Sequence, residues 1–208
     1  MNSHPAPLEI SSKASPEDRA RANFYALLSR LFYAAPDTGL LQAIARADEI
    51  VAEGDNVGLG AAWRSLQEAS AAAEVAATQQ EFDDLFVGIG KAAVTPFASH
   101  YLTETGREKV LVRLRDELED FGLARRADAA EPEDHVAALL DAMRYLILSE
   151  DRDDALQTQQ RFFQRYLQPS YAGLCDAIAM ARGGNYYRQV ARFAKAFLDV
   201  ESQALAMI

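Results

Sequence analysis

Apolar residues recur along this chain at intervals of three and four positions, which places them on one face of a helix. The first such run includes Phe24, Leu27 and Leu31. It follows Ser15 and Pro16, a hydroxyl N-cap and a proline at the first helical position. Similar runs continue to the C-terminus, without strand-like alternation of useful length and without an internal repeat. The pattern predicts an all-α fold, a two-lobed helical bundle of about eight or nine helices.

Several local signals predict where the later helices begin and end. The Thr78–Glu81 segment matches a capping box and is expected to open a short helix. Gly88 is expected to end that helix, and Gly122 suits the left-handed position after another. Pro132 is expected to start a helix, and Pro169 to separate one at about 152–167 from one at about 170–182.

The connectors between these runs predict the organisation of the chain. At 208 residues, the length favours one domain over two. The polar stretch after Gly122 interrupts the helical pattern and is expected to separate two lobes of that domain. The predicted units are a disordered tail at 1–15, an N-terminal lobe at 16–121, a hinge connector at 122–131 and a C-terminal lobe at 132–208.

Composition narrows the function classes. Acidic residues number 31 against 21 basic ones, giving a net charge of −10, which opposes binding to nucleic-acid phosphates and favours cationic partners. The single Cys175 excludes an intramolecular disulfide and fits a reducing compartment. The first fifteen residues resemble neither a secretory signal nor a transit peptide, and no run of about 18 apolar residues is present. We therefore expect a cytoplasmic protein without a membrane span.

Two segments carry residues that helix building alone does not require. The first runs from Gly88 to Tyr101 and is rich in glycine, proline and small residues, which predicts a loop. The second comprises residues 131–135 with the sequence Glu-Pro-Glu-Asp-His. Binding and catalytic residues are often found on loops that a rigid scaffold positions. These two segments are therefore the candidate site.

Metal and phosphate chemistry find little support. The chain has three histidines, His4, His100 and His135, and a single cysteine, and no Glu-x-x-His unit of the kind that binds metals in helical bundles. Gly90-Lys91 lacks the remaining positions of a phosphate-binding loop. We expect neither a bound metal nor a cofactor.

Two other functions stay open. A small hydrolase would combine Ser99 as nucleophile with His135 and an acid. A non-catalytic helical adaptor would use residues 131–135 only as a capped helix start, because Glu133 and Asp134 suit the positive end of a helix dipole.

The order of the motifs resembles the TorD/DmsD family of cytoplasmic chaperones that mature molybdenum-containing redox enzymes. The similarity covers the chain from about residue 19 to its C-terminus. Its motifs are an aromatic-x-x-Leu-Phe-x-Gly unit at 82–88, Pro-x-x-Ser-x-Tyr at 96–101, Gly-Leu at 122–123, and Glu-Pro-Glu-Asp-His at 131–135.

Two positions depart from the family pattern. Residues 169–171 read Pro-Ser-Tyr where members often have Pro-Trp, and Ile89-Gly90 stands where a proline is frequent. Both departures affect the expected identity of the client and not the expected fold.

The resemblance implies a system-specific chaperone without enzymatic activity. It would bind the twin-arginine signal peptide and the apo form of a molybdenum-cofactor-containing oxidoreductase, and hold that enzyme until cofactor insertion and export. Molybdenum-cofactor biosynthesis proteins are further expected partners. The protein itself is expected to be a monomer or a domain-swapped dimer that exchanges lobes at the connector.

The expected peptide site combines an apolar groove with acids that bind guanidinium groups. Loss of a partly desolvated pair of this kind would weaken binding by about 2–5 kcal/mol. The candidate residues are Trp63, Leu85, Phe86, Gly88, Ser99, Tyr101, Glu131, Glu133, Asp134 and His135.

Overall fold

The computed structural model describes residues 14–50, 57–88, 92–103, 105–123, 131–149 and 154–208. Within these ranges the chain is helical, which confirms the all-α class. The helices are α1 (Pro16–Tyr33), α2 (Thr38–Ala45), α3 (Val57–Ala72), α4 (Val75–Phe82), α5 (Ser99–Leu102), α6 (Arg107–Asp120), α7 (Val136–Leu148), α8 (Ala155–Phe162), α9 (Gln168–Met180) and α10 (Tyr186–Ala206). Two π-helical turns, π1 (Asp83–Val87) and π2 (Phe163–Leu167), extend α4 and join α8 to α9. The described residues thus form nine continuous helical runs, as expected.

One hydrophobic core spans both sides of the predicted hinge. α1 packs along α7, and α10 packs against α3 and α9. Because α1 and α3 precede the connector while α7 and α10 follow it, the α1–α7 and α3–α10 contacts cross the expected lobe boundary. The division into two lobes stays a prediction. Positions 1–13 of the expected tail and 124–130 of the expected connector lie outside the described residues.

Two predicted helix ends are confirmed by their backbone geometry. The Ser15 hydroxyl accepts a hydrogen bond from the Asp18 N–H at 3.0 Å, with Pro16 at the first position of α1. After α6, Gly122 has a φ of +76°, and the Leu123 N–H donates to the Leu118 carbonyl at 2.8 Å. Glycine is favoured at this left-handed position because it has no Cβ.

The expected capping box at 78–81 is wrong. α4 begins at Val75, and the Thr78 hydroxyl donates to the Glu74 carbonyl at 3.0 Å from inside the helix. The Glu81 carboxylate instead accepts from the N–H groups of Tyr186 and Tyr187, at 3.1 and 2.7 Å. Glu81 therefore caps α10, which begins more than a hundred residues later.

Both proline boundaries are also misplaced. α7 begins at Val136, four residues after Pro132, and His135 is its N-cap. The helical run from α8 to α9 continues past Pro169, which lies in the first turn after π2. The Ser170 hydroxyl, just after the proline, donates to the Tyr166 carbonyl at 2.6 Å. The chain continues as a helix where the missing N–H predicted a break, with Pro169 in the first turn of α9.

A buried carboxylate connects the two ends of the chain. Glu201 of α10, 3% exposed, accepts from Arg21 Nε and Nη2 of α1 at 2.8 and 2.9 Å. The Tyr25 hydroxyl donates to Glu201 Oε2 at 3.0 Å, and Arg21 Nη2 also donates to Gln159 Oε1 at 3.2 Å. Burial and the neighbouring carboxylate raise the pKa of Tyr25 well above its ordinary value. The network ties α1, α8 and α10 together.

We predict that Glu201→Gln lowers the free energy of unfolding by about 2–3 kcal/mol, because it removes the buried charged partner of the Arg21 guanidinium and leaves only the more exposed Asp18. Urea unfolding followed by circular dichroism measures the change. Glu68→Gln, at an exposed position of α3, is the matched control and is expected to stay within about 0.5 kcal/mol of the original chain. Equal unfolding midpoints for the two variants would contradict the prediction.

Candidate functional site

The two segments singled out in the sequence lie side by side. The Ala98 N–H donates to the Asp134 carbonyl, and the Val136 N–H donates to the Pro96 carbonyl, each at 2.8 Å. These bonds form an isolated antiparallel bridge. We call residues 96–99 and 131–136 the paired segments. They join the loop after π1 to the start of α7.

The Asp134 side chain adds a third connection between the paired segments. Its Oδ2 accepts from the Ser99 N–H at 3.3 Å, and both residues are buried. Ser99 is the first residue of the short helix α5, within the stretch from Gly88 to Tyr101 where a loop was expected. The carboxylate thus lies at the start of this turn, where its charge is favourable.

His135 caps α7 with its side chain. Nδ1 accepts from the Ala137 N–H at 3.2 Å, so the imidazole is neutral and carries its proton on Nε2. The ring packs edge-on against Phe97 at a centroid distance of 5.5 Å. Burial lowers the pKa of His135, and the charges of Glu131 and Asp134 oppose this effect. The buried cap therefore stabilises the neutral form.

The first paired segment is fixed from two further directions. The Val94 N–H donates to the Leu85 carbonyl of π1 at 2.8 Å, and the Tyr101 hydroxyl donates to the Thr95 carbonyl at 2.9 Å. Gly88 ends π1 with a φ of +60°, a conformation that favours glycine. Leu85 and Gly88 therefore position the loop through their backbone.

Tyr101 packs closely against a glycine of α9. A Cβ built on Gly173 would stand 2.8 Å from the Tyr101 ring, closer than side chains tolerate. Burial raises the pKa of Tyr101 to about 12, with a smaller contribution from Cys175. The absence of a side chain at Gly173 lets the aromatic ring approach α9, and the ring in turn holds the Thr95 carbonyl.

Glu133 holds a guanidinium group of this same chain. Arg115 of α6 donates from Nε to Oε1 at 2.9 Å and from Nη2 to Oε2 at 3.0 Å. The carboxylate is 7% exposed and the arginine side chain 49%. Such two-point pairing is the strong form of the carboxylate–guanidinium contact, and it raises the pKa of Arg115. Glu131, at the start of the same segment, is exposed.

The expected apolar groove does not form as predicted, because three of its residues belong to the core. Leu85 is 1% exposed, and Phe86 is buried between Phe32 and Tyr187. Trp63, 5% exposed, packs on Phe24 and Phe193 in a separate aromatic cluster, and its Nε1 donates to the Asp48 carbonyl at 2.9 Å. These side chains are too enclosed to contact a partner. Tyr101, half-buried, is the remaining member of the set.

The hydrolase hypothesis finds no support in the hydrogen bonds of its residues. His135 Nδ1 is occupied by a backbone N–H, and the Asp134 carboxylate accepts from the backbone of Ser99. A catalytic triad would need the acid on the imidazole and the imidazole on the serine hydroxyl. Here the same groups fix the backbone.

Neither a metal cluster nor a membrane-spanning helix occurs among the described residues. Histidine, cysteine, aspartate and glutamate side chains nowhere gather in a group of three or more that could hold a metal ion within these ranges. None of the helices in the same ranges combines the length and the apolar character that crossing a bilayer requires.

Sequence reasoning did not find Arg115, Gly173 or Thr95. Arg115 is one of several charged residues on α6, and nothing in its spacing distinguishes it. Thr95 takes part through its carbonyl, which no side-chain pattern reveals. Gly173 did carry a signal, because an isolated glycine within a helical pattern often marks a close packing contact.

Comparison with known proteins places this site in a family. The family model described as nitrate reductase delta subunit matches residues 52–176, more than half of the chain. The chain belongs to this family. The matched region contains both paired segments as well as Arg115 and Gly173, whereas α1 and α10 lie outside it.

Several curated relatives carry the name chaperone protein TorD. The protein from Shewanella loihica is 25% identical over 205 residues, which cover 92% of this chain and 95% of that protein. The one from Aliivibrio fischeri is 30% identical over 135 residues, covering 61% and 63%, respectively. The one from Photobacterium profundum is 33% identical over 109 residues, covering 47% and 50%. Together with the family model, they confirm the resemblance to the TorD family of molybdoenzyme-maturation chaperones.

We predict that the His135 cap makes stability depend on pH. The folded-state pKa of His135 lies below the ordinary value of 6.5, so its contribution is complete above about pH 6.5 and is lost as the pH falls toward the folded pKa. His135→Asn keeps an N-cap acceptor without this titration. Urea unfolding between about pH 7.5 and about pH 5.5 should show a smaller fall in unfolding free energy for the variant. Parallel pH profiles would contradict this role.

We also predict that the effect of Gly173→Ala changes sign with its neighbour. In the original chain the new methyl group meets the Tyr101 ring, so thermal unfolding should shift to a lower temperature. In a Tyr101→Ala background the contact is gone, and the same change should stabilise by up to about 1 kcal/mol through helix propensity. The same effect of Gly173→Ala in both backgrounds would contradict the close contact between the Tyr101 ring and Gly173.

Proposed function

We propose that this protein is a chaperone that binds the twin-arginine signal peptide and the apo form of a molybdenum-cofactor-containing oxidoreductase. It holds that enzyme until cofactor insertion and export, and it acts in the cytoplasm without catalytic turnover. The observation that carries the proposal is the pairing of residues 96–99 with 131–136, which gathers Ser99, Glu133, Asp134 and His135 within the family region.

The charge of the chain supports a cationic partner. The formal net charge is −10, and a twin-arginine leader presents guanidinium groups followed by an apolar stretch. Opposite net charges accelerate encounter, and salt weakens this steering. Glu131 is the exposed acid of the second paired segment, next to the buried Glu133 and Asp134.

For the apolar part of the leader, Val87 replaces the buried members of the expected groove. This residue is 62% exposed at the end of π1, next to Gly88. Val87 precedes the first paired segment in the sequence, and Tyr101 follows it within α5. They are the apolar contacts that we assign to the peptide site.

The hydrogen bonds of the site favour binding over chemistry. Asp134 and His135 are each engaged with backbone N–H groups, so they keep a fixed surface in place. No observation favours the hydrolase or the adaptor as a second function. Molybdenum-cofactor biosynthesis proteins complete the proposed set of partners, and the protein acts as a monomer or a domain-swapped dimer.

Calorimetry with a twin-arginine leader peptide tests the proposal. We predict that Asp134→Asn weakens peptide binding by about tenfold, since a neutral amide oxygen accepts from the Ser99 N–H more weakly than the carboxylate does and holds the paired segments less firmly. Asp176→Asn, at an exposed position of α9, is the matched control and should bind like the original chain. Circular dichroism should give the same helix content for all three proteins.

Three results would contradict the proposed function. The first is the absence of peptide binding by the original chain, and the second is equal affinity for the Asp134 and Asp176 variants. The third is ester hydrolysis that Ser99→Ala abolishes, which would establish the hydrolase instead. Co-purification of an apo-oxidoreductase subunit from the native cell separates the chaperone from the adaptor.

A further inference from the structure

The Arg115–Glu133 pair combines a buried carboxylate with an accessible guanidinium. Glu133 is 7% exposed and fixed within the second paired segment, whereas Arg115 is 49% exposed on α6. The two N–H···O bonds measure 2.9 and 3.0 Å. The side of the carboxylate that faces this helix is thus already shaped for a planar, two-point donor.

This geometry allows one guanidinium to replace another. The exchange of arginine for arginine preserves the charge and both hydrogen bonds, so the carboxylate is never left buried and unpaired. α6 does not depend on this contact for its position, because Leu114 is fully buried and the Glu117 carboxylate accepts from Arg165 and Tyr166, each at 2.8 Å. Arg115 can therefore leave Glu133 by rotation of its own side chain.

We propose that Glu133 is a guanidinium-binding site and that Arg115 is its resident occupant, which an arginine of the client leader peptide displaces. The identity of the incoming arginine rests on the proposed function. The guanidinium-binding property of Glu133 does not. Arg115 lowers the apparent affinity for the leader by the fraction of molecules in which it occupies Glu133.

The first experiment requires no peptide. Arg115→Ala should lower the thermal unfolding temperature, and low millimolar methylguanidinium should restore part of the loss, whereas methylammonium at the same concentration should not. Arg113→Ala, at an exposed position on the same helix, controls for the loss of one positive charge. Equal responses to the two cations, or the same methylguanidinium effect in the Arg113 variant, would overturn the site.

The second experiment measures competition with the leader peptide by calorimetry. If Arg115 is detached from Glu133 in about one molecule in ten, Arg115→Ala should bind the twin-arginine peptide about tenfold more tightly than Arg113→Ala does. A peptide with both arginines replaced by glutamine should show no such gain. The double variant Arg115→Ala, Glu133→Gln should also bind the twin-arginine peptide no more tightly than Arg113→Ala does.

The outcomes separate this inference from the proposed function. If the original chain binds the peptide but Arg115→Ala binds no more tightly than Arg113→Ala, the displacement mechanism is wrong and the chaperone function stands. If none of the variants binds the peptide, the proposed function fails. The methylguanidinium result then still decides whether Glu133 binds guanidinium groups.

Discussion

The backbone hydrogen bonds between residues 96–99 and 131–136 hold together two segments that the chain places far apart. Without them, one loop would end at α5 and the other at α7, with no fixed relation between their side chains. Each segment is in turn attached to the core. π1 holds the first through the Leu85 carbonyl, and the packing of α7 on α1 holds the second. The paired segments are therefore positioned by the helical scaffold on both sides.

The polar side chains of the second paired segment differ in what they bind when buried. Asp134 and His135 are buried and bonded to backbone N–H groups, as buried polar groups require. Glu133 differs from them, since its charged partner is a side chain that solvent reaches. Of these three residues, it is the one that a client arginine can reach by exchange. Asp134 and His135 fix the shape of the site, and Glu133 supplies the charge that we propose to be exchangeable.

Local signals predicted the fold where the interactions are local. The Ser15 cap and the left-handed Gly122 depend on neighbours within a few residues, and both were predicted. Glu81 has the residue type of a local cap, but its carboxylate bonds to the start of α10. Pro132 does not start α7, because residues 131–136 first pair with residues 96–99. Trp63 was assigned to the site because aromatic periodicity does not distinguish a core face from a binding face. The motifs at 96–101 and 131–135 located the site, and the Arg115 contact required three-dimensional structure.

The central claim is that the paired segments are the surface on which the leader peptide binds. Hydrogen–deuterium exchange with and without a twin-arginine leader peptide tests it directly. The account predicts slower exchange of the amides in 94–101 and 133–137 when the peptide is present, together with changed exchange near Arg115 on α6. Peptide binding that leaves these amides unchanged and protects another surface would contradict the account.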